Sequence, residues 1–353
     1  MRVVRRALGV GTAVALAVSG TALTQTASAV ALSCGAVVTA NTTLTADVGP
    51  CASGQGITVN ANNVTLNLNG HRIFGVAANN GTNANPYIGV YVTGRTGVTI
   101  TNGRISDFDT GVYLEFGGSH TISRMHIFDN IGGLNGDGFF GEGIQLFESD
   151  NNAITASQVI HNGTFAGIDV FDSHNTRITG NTVQGNNVVQ TDAQDQQHGP
   201  TIMQDIGIFL VTLTSRRTTG TVVTGNQVQG NGLDGISVGN FTTNNQVLNN
   251  SVQGNGVTGQ VAPFRDGSGI RVGSQATGNL VQGNRVQGNG ADGISIVNGS
   301  SNTIRRNQSF GNNLGPNTTI ANFDLFDSSP TCASGTNTWT ANAFATKNQA
   351  CIS

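Results

Sequence analysis

The sequence has little charge and almost no lysine. Of its 353 residues 10% are Asp, Glu, Lys or Arg, and Lys347 is the single lysine. The 16 basic and 19 acidic side chains leave a formal charge of −3. With no basic tract, chain-wide affinity for nucleic acid or for an anionic membrane surface is excluded. One Trp, three Tyr and six Pro are also few for this length. The four Cys form no CxxC pair and have no His nearby, which excludes a zinc module. What the sequence has instead is 50 Gly, about one residue in seven, without a Gly-X-Y period, so it is not a collagen. A glycine costs about 1 kcal/mol at each helical position, which removes a long helix or coiled coil. At 37% hydrophobic the chain can still bury a sizeable core. An all-β or repeat architecture is what remains.

The first segment reads as a leader. Arg2, Arg5 and Arg6 precede an apolar run over residues 7–23, and Ala27-Ser28-Ala29 is a small-x-small cleavage site. This is the three-part pattern of a secretory signal peptide, residues 1–29. A membrane span fits less well, because Gly9, Gly11, Ser19, Gly20 and Thr21 interrupt the run. No Phe-Leu follows Arg5-Arg6, which favours the general secretory route over the twin-arginine route. No Leu stands three residues before Cys34, which argues against lipidation. Cutting after Ala29 leaves 324 residues and removes three arginines, so −3 becomes −6. The expected destination is extracellular. Export permits disulfides, and the pairs Cys34–Cys51 and Cys332–Cys351 are expected among three connectivities, each contributing roughly 3 kcal/mol by loop closure.

The middle of the chain repeats itself. Gly207-Ile208-Phe209-Leu210, Gly235-Ile236-Ser237-Val238, Gly269-Ile270-Arg271-Val272 and Gly293-Ile294-Ser295-Ile296 are copies of one unit, with earlier copies at Gly89, Gly111, Gly143 and Gly167. The intervals between these glycines are 22, 32, 24, 40, 28, 34 and 24 residues. Each unit holds three alternating apolar runs too short for helices, hence three strands per coil. Asn181, Asn226, Asn250, Asn284 and Asn307 recur between the second and third strands. Asparagine suits a left-handed turn there, and stacked amides can bond from coil to coil.

This repeat resembles that of right-handed parallel β-helix proteins, the pectate-lyase-like superfamily, over roughly residues 56–313. Asn69-Gly70-His71-Arg72-Ile73-Phe74-Gly75 is similar to an element found in their first coils. The resemblance implies an all-β solenoid with an N-terminal cap at 30–55 and a C-terminal cap at 314–353, with Trp339 in the core of the latter. It leaves function open, because the fold hosts lyases, hydrolases, esterases, epimerases, tailspikes and adhesins. It also implies a groove along the first strands, walled by loops. Three insertions, at 130–142, 186–206 and 256–268, fall at one register and support such a wall, while a further extension surrounds Arg216-Arg217.

If the Ile of each Gly-Ile pair points inward, the third and fifth positions point into the groove. The third reads Tyr91, Tyr113, Gln145, Asp169, Phe209, Ser237, Arg271, Ser295, and the fifth includes Glu115, Phe147 and Phe171. Tyr113, Gln145, Glu115, Phe147, Phe171, Phe209 and Arg271 are therefore expected to contact substrate, unless Phe147, Phe171 and Phe209 simply lie under the long loops. Where other coils have a glycine after the third strand, three have Asp107, Asp129 and His161. Hydrolysis of a glycosidic bond needs two carboxyl groups, and Asp169 with Asp129 or Glu142 could supply them. Elimination from a uronate needs a base and a neutralising cation; His161 or Tyr113, with calcium on Asp107 and Asp129, would serve. The catalytic candidates are thus Asp169, His161, Asp129 and Glu142.

The polygalacturonase and pectin methylesterase motifs of the superfamily are missing. Asp169 matches the aspartate of the epimerases' Asp-Pro-His run, but Phe171 stands in the histidine's place. The sequence therefore implies a secreted enzyme that cleaves an extracellular polysaccharide, with no cofactor required beyond that calcium, as a monomer or trimer. Its rival is a non-catalytic glycan-binding or cell-surface solenoid. A copper-handling β-helix shares the repeat, but the Met and His residues do not cluster.

Overall fold

The computed structural model describes residues 28–52, 54–76, 87–132, 141–163, 165–187, 205–257, 267–315, 321–329 and 336–353. Most of the expected signal peptide, residues 1–27, lies outside that set, as does Cys332.

The chain winds into a right-handed parallel β-helix. Eleven first strands, one from each coil, pair in sequence order from Ala36–Val38 to Leu325–Asp327. The second and third strands make up the remaining 21 strands, also parallel. The strands Thr99–Ser106 and Thr121–Phe128 run through the corner that breaks the other coils, bending at Asn102 and Arg124, where φ is 61° and 52°. No helix among the described residues is long and apolar enough to cross a membrane.

Register makes the core a set of columns. Ile144, Ile168, Ile208, Ile236, Ile270 and Ile294 are successive partners in the first-strand sheet, all fully buried. In the second strands Ile154, Ile178, Val223, Val247, Val281 and Ile304 do the same, and Trp339 closes that column over Ile304. Its indole N–H donates to Asp327 at 2.9 Å. The parallel pairing continues past both expected cap boundaries, through Ala36–Val38 at one end and Leu325–Asp327 at the other. A disulfide joins Cys34 to Cys51 in the first coils, as expected.

Amide ladders occupy all three corners, where the sequence showed one. In the corner after the third strand, Asn130, Asn162, Asn186, Asn231, Asn255, Asn289 and Asn312 each donate Nδ2 to the next Oδ1, and the last donates to Asp324. Between the second and third strands Asn181, Asn226, Asn250, Asn284 and Asn307 form another, ending on Asn342. Between the first and second, Asn245, Asn279, Asn302 and Asn337 end on Asp327. The left-handed residue is not the ladder asparagine itself, as the sequence suggested, but the one before it: Gly180, Gly225, Asn249, Gly283 and Arg306 have φ between 54° and 68°. The ladder residue turns inward, where its amide also satisfies a carbonyl one coil back, as Asn226 does for Ile178.

Replacing Asn226 with Ala strands the N–H and amide of Asn181 and the carbonyl of Ile178. At about 1–3 kcal/mol per buried group left unpaired, Asn226→Ala is expected to lose roughly 2–5 kcal/mol in guanidinium titrations. Gln229→Ala, in the solvent-facing glutamine row, should stay within about 0.5 kcal/mol. His120 stands in the first corner, with Nδ1 accepting the Val98 N–H, and burial pushes its pKa from 6.5 down to about 4. Unfolding lets this ring take up a proton, so its support is complete above pH 6.5 and fades towards pH 4. His120→Asn should flatten the decline of stability across that window.

Candidate active site

The strand-start glycines are required by space rather than by turn geometry. A Cβ on Gly143 would lie 2.4 Å from Val159 Cγ1 and 2.9 Å from Asn162 Nδ2, inside the coil. Ile144 also points inward, so two successive residues face the core and alternation slips by one. Residue 142 consequently emerges on the outer face beside residue 145. Gln145 Nε2 donates to Glu142 Oε1 at 3.3 Å. Sequence alternation counted from Ile144 does not yield this placement.

Along the sheet, Tyr91, Tyr113, Gln145, Asp169 and Phe209 are successive register partners. Thr93, Glu115, Phe147, Phe171 and Val211 form the parallel row. The Tyr91 hydroxyl donates to Glu115 Oε1, and the rings of Tyr91 and Tyr113 stack tilted, 5.8 Å apart. Tyr91, Tyr113, Glu115 and Phe147 are half-buried, while Glu142 and Asp169 have no exposed surface.

Burial dominates the electrostatics here. It pushes Glu142 from 4.5 up to about 8, although Thr110 Oγ1 and the Gly141 N–H donate to Oε2 at 2.9 and 3.0 Å. Asp169 is raised well above its usual 3.8, first by burial and then by the neighbouring charge of Glu142, with the Val170 N–H a minor offset. Neither Asp169 oxygen has a hydrogen-bond partner of acceptable geometry. Tyr113 is raised by burial and by the charges of Glu115 and Glu142, and Tyr91 to about 12 by burial and its bond to Glu115. Every charge that perturbs this group is negative. Both carboxyl groups are thus shifted towards the protonated form, one held by three donors and one by none, an arrangement that can supply an acid and a base. Thr110, one position before Gly111 as Glu142 is before Gly143, was not anticipated; that shared register was its signal.

The other expected residues lie elsewhere. Asp107, Asp129 and His161 follow the third strand in left-handed conformation, with φ of 60°, 54° and 54°, as their glycine counterparts are. Asp107 pairs with Arg72. Asp129 and His161 act on His126, stacked on Phe128 at 4.5 Å, and exert no charge effect on Glu142 or Asp169. No three His, Cys, Asp or Glu among the described residues converge as a metal site, so calcium on Asp107 and Asp129 gains no support. The aromatic residues are not the open stacking surface expected. Phe171 and Phe209 are 3% and 2% exposed, packed with Phe165, Ile206 and Val211 in a second apolar cluster outside the main core. Phe147, half-buried, borders that cluster and meets Phe116 edge-on. Arg271 stands three coils beyond Asp169 in the same column.

A family model described as periplasmic copper-binding protein (NosD) matches residues 133–352, and one described as right handed beta helix region matches residues 33–205. No curated protein matches the sequence significantly. Among solved structures, the periplasmic alginate epimerase AlgG is 14% identical with a TM-score of 0.56, over 89% of this chain and 76% of its own. DFA-IIIase from Arthrobacter chlorophenolicus A6 is 14% identical with a TM-score of 0.54, over 87% and 75%. Pectate lyase Pel9A is 13% identical with a TM-score of 0.48, over 84% and 71%. At these identities the likeness is one of fold.

The buried acids set a pH signature. Folding keeps Asp169 protonated where the unfolded chain releases the proton, so this stability is whole below about pH 3.8 and is lost as pH rises towards the folded value. Asp169→Asn should therefore stabilise the protein at pH 8 by roughly 1–3 kcal/mol. The gain should shrink at pH 4 in parallel urea titrations.

Proposed function

The chain belongs to the family described as periplasmic copper-binding protein (NosD) and is a right-handed β-helix; from that premise we propose that it is an exported carbohydrate-active enzyme that cleaves glycosidic bonds with Glu142 and Asp169. The observation that carries this reading is the Asp169 carboxyl, wholly buried without a hydrogen-bond partner beside a second buried carboxyl on the outer face of the first-strand sheet. Such a pair costs stability, and active sites are where proteins retain that cost. AlgG and DFA-IIIase, one named as an alginate epimerase and both on the same fold, support the substrate class.

The family name raises copper, and among the described residues no three His, Cys, Asp or Glu converge to hold it. Cys34 and Cys51 are spent in a disulfide, Met125 is buried in the core, and the Nδ1 of His120 is taken by the Val98 N–H. His71 and His174 face Asp47 and Asp150 in separate places.

The three donors on Glu142 favour its ionised form, whereas nothing holds Asp169 as an anion. Asp169 then serves as the acid and Glu142 as the base. Asp169 gives its proton to the departing glycosidic oxygen as the bond to the anomeric carbon breaks. A water molecule bonds to that carbon and loses a proton to Glu142, and proton exchange with solvent restores the pair. Tyr91, Tyr113, Glu115 and Phe147 line the approach.

Assays on a polysaccharide panel, following reducing ends and the absorbance of unsaturated uronates, test the assignment. Glu142→Gln and Asp169→Asn are expected to lower turnover by roughly 10²–10⁴-fold, with Asp129→Asn and His161→Asn far milder. Activity should rise with pH through about 8 as Glu142 ionises. Unaltered turnover in both carboxyl variants refutes the site. Retention of a glycan without any turnover refutes the enzyme and establishes a binding solenoid.

A further inference from the structure

We infer that the Glu142–Asp169 cleft takes neutral sugars and that polyuronates are not its substrate, an inference that rests on the enzyme reading above. From Arg124 to Arg216 the sequence has a single cationic side chain between them, Arg177, and that one stands exposed on the second-strand face. The same stretch holds ten of the chain's 19 acids, Glu142 and Asp169 among them. Arg216 itself is bound to Asp150. Along the third-position column no cation occurs from Tyr91 to Ser237. The first is Arg271, three coils past Asp169, about 14 Å along the axis at ~4.8 Å per coil.

Removing the C5 proton of a uronate requires its carboxylate to be neutralised, and cations are the groups that do so. This cleft instead presents two carboxyl groups without exposed surface, beside Glu115. With Glu142 ionised, as its role as base requires, a third carboxylate brought there would meet the negative charges of Glu142 and Glu115 in a water-poor setting, where repulsion is strongest. The other polar groups of this face, the hydroxyls of Tyr91 and Tyr113 and the amide of Gln145, are uncharged, and Tyr91 and Gln145 donate to Glu115 and Glu142 as sugar hydroxyls also could. Bond cleavage by water, which needs no neutralising cation, matches this set. Elimination does not.

The test pairs each acidic polymer with its own neutral derivative: polygalacturonate and alginate against the same polymers after carboxyl reduction, with β-glucan, xylan, inulin and dextran alongside. Affinity-gel retardation and product release are measured in EDTA and in calcium. The expected result is that at least one neutral glycan is retained or cleaved, and that within each pair the neutral member is favoured by about tenfold or more, without unsaturated uronate products. Equal or greater retention or cleavage of a uronate polymer, in either medium, overturns the neutral preference and leaves the enzyme reading standing. If no polymer is retained or cleaved, the enzyme reading falls, and this inference falls with it.

Discussion

The structure depends on side-chain amides passing hydrogen bonds from one coil to the next. A solenoid with three sharp corners per turn leaves backbone N–H and C=O groups facing inward wherever the sheets break, and these cannot be left unpaired. At each such corner an asparagine accepts from the preceding coil's backbone and amide, then donates onward and to a carbonyl behind, as Asn226 does between Asn181, Asn250 and Ile178. The space this amide fills is what forces glycine at the start of the first strand of its own coil: a Cβ on Gly167 would meet Asn186 Nδ2 at 2.6 Å. The glycine slip in turn presents residue 142 to the outer face. Corner chemistry and cleft chemistry are therefore one chain of cause.

Against the paired amides of the corners, Asp169 stands out as a buried carboxyl whose two oxygens both lack a hydrogen-bond partner. The register position of Glu142 is held in later coils by Asp234 and Asp292, and each uses its carboxylate to accept backbone N–H groups of the neighbouring coil, from Gly267 and Ser268 and from Phe323. Those acids are structural. Glu142 has one more methylene, reaches Gln145 and meets a carboxyl that nothing solvates.

The architecture was legible because it repeats: Gly-Ile units and recurring Asn-containing turns survive insertions of any length between them. The disulfide at Cys34 was legible from spacing and an export signal. The site was legible in part. Asp169 follows from simple alternation, but the outward turn of Glu142 depends on two consecutive inward residues, which alternation cannot represent. The aromatic column was misjudged because exposure of a β-surface is set by what packs over it, here Phe165 and Ile206, and not by strand period. Asp107, Asp129 and His161 were singled out for replacing glycine. Their positive φ shows that they share its backbone role, which Asp takes readily and His less so.

The ladders also have a direction. Every Nδ2 donates towards the C-terminal coils, and two of the three series end on carboxylates, Asp324 and Asp327, which can only accept. Each intermediate rung asks nothing of its position except a like neighbour on either side. Coil number is thereby separated from the ends. A duplicated 24-residue unit inserted between Asn231 and Asn255 would carry its own donor and acceptor and leave both terminators in place. The rod can thus grow by gene duplication a coil at a time, and the length of its outer face becomes a heritable variable that point mutation need not touch.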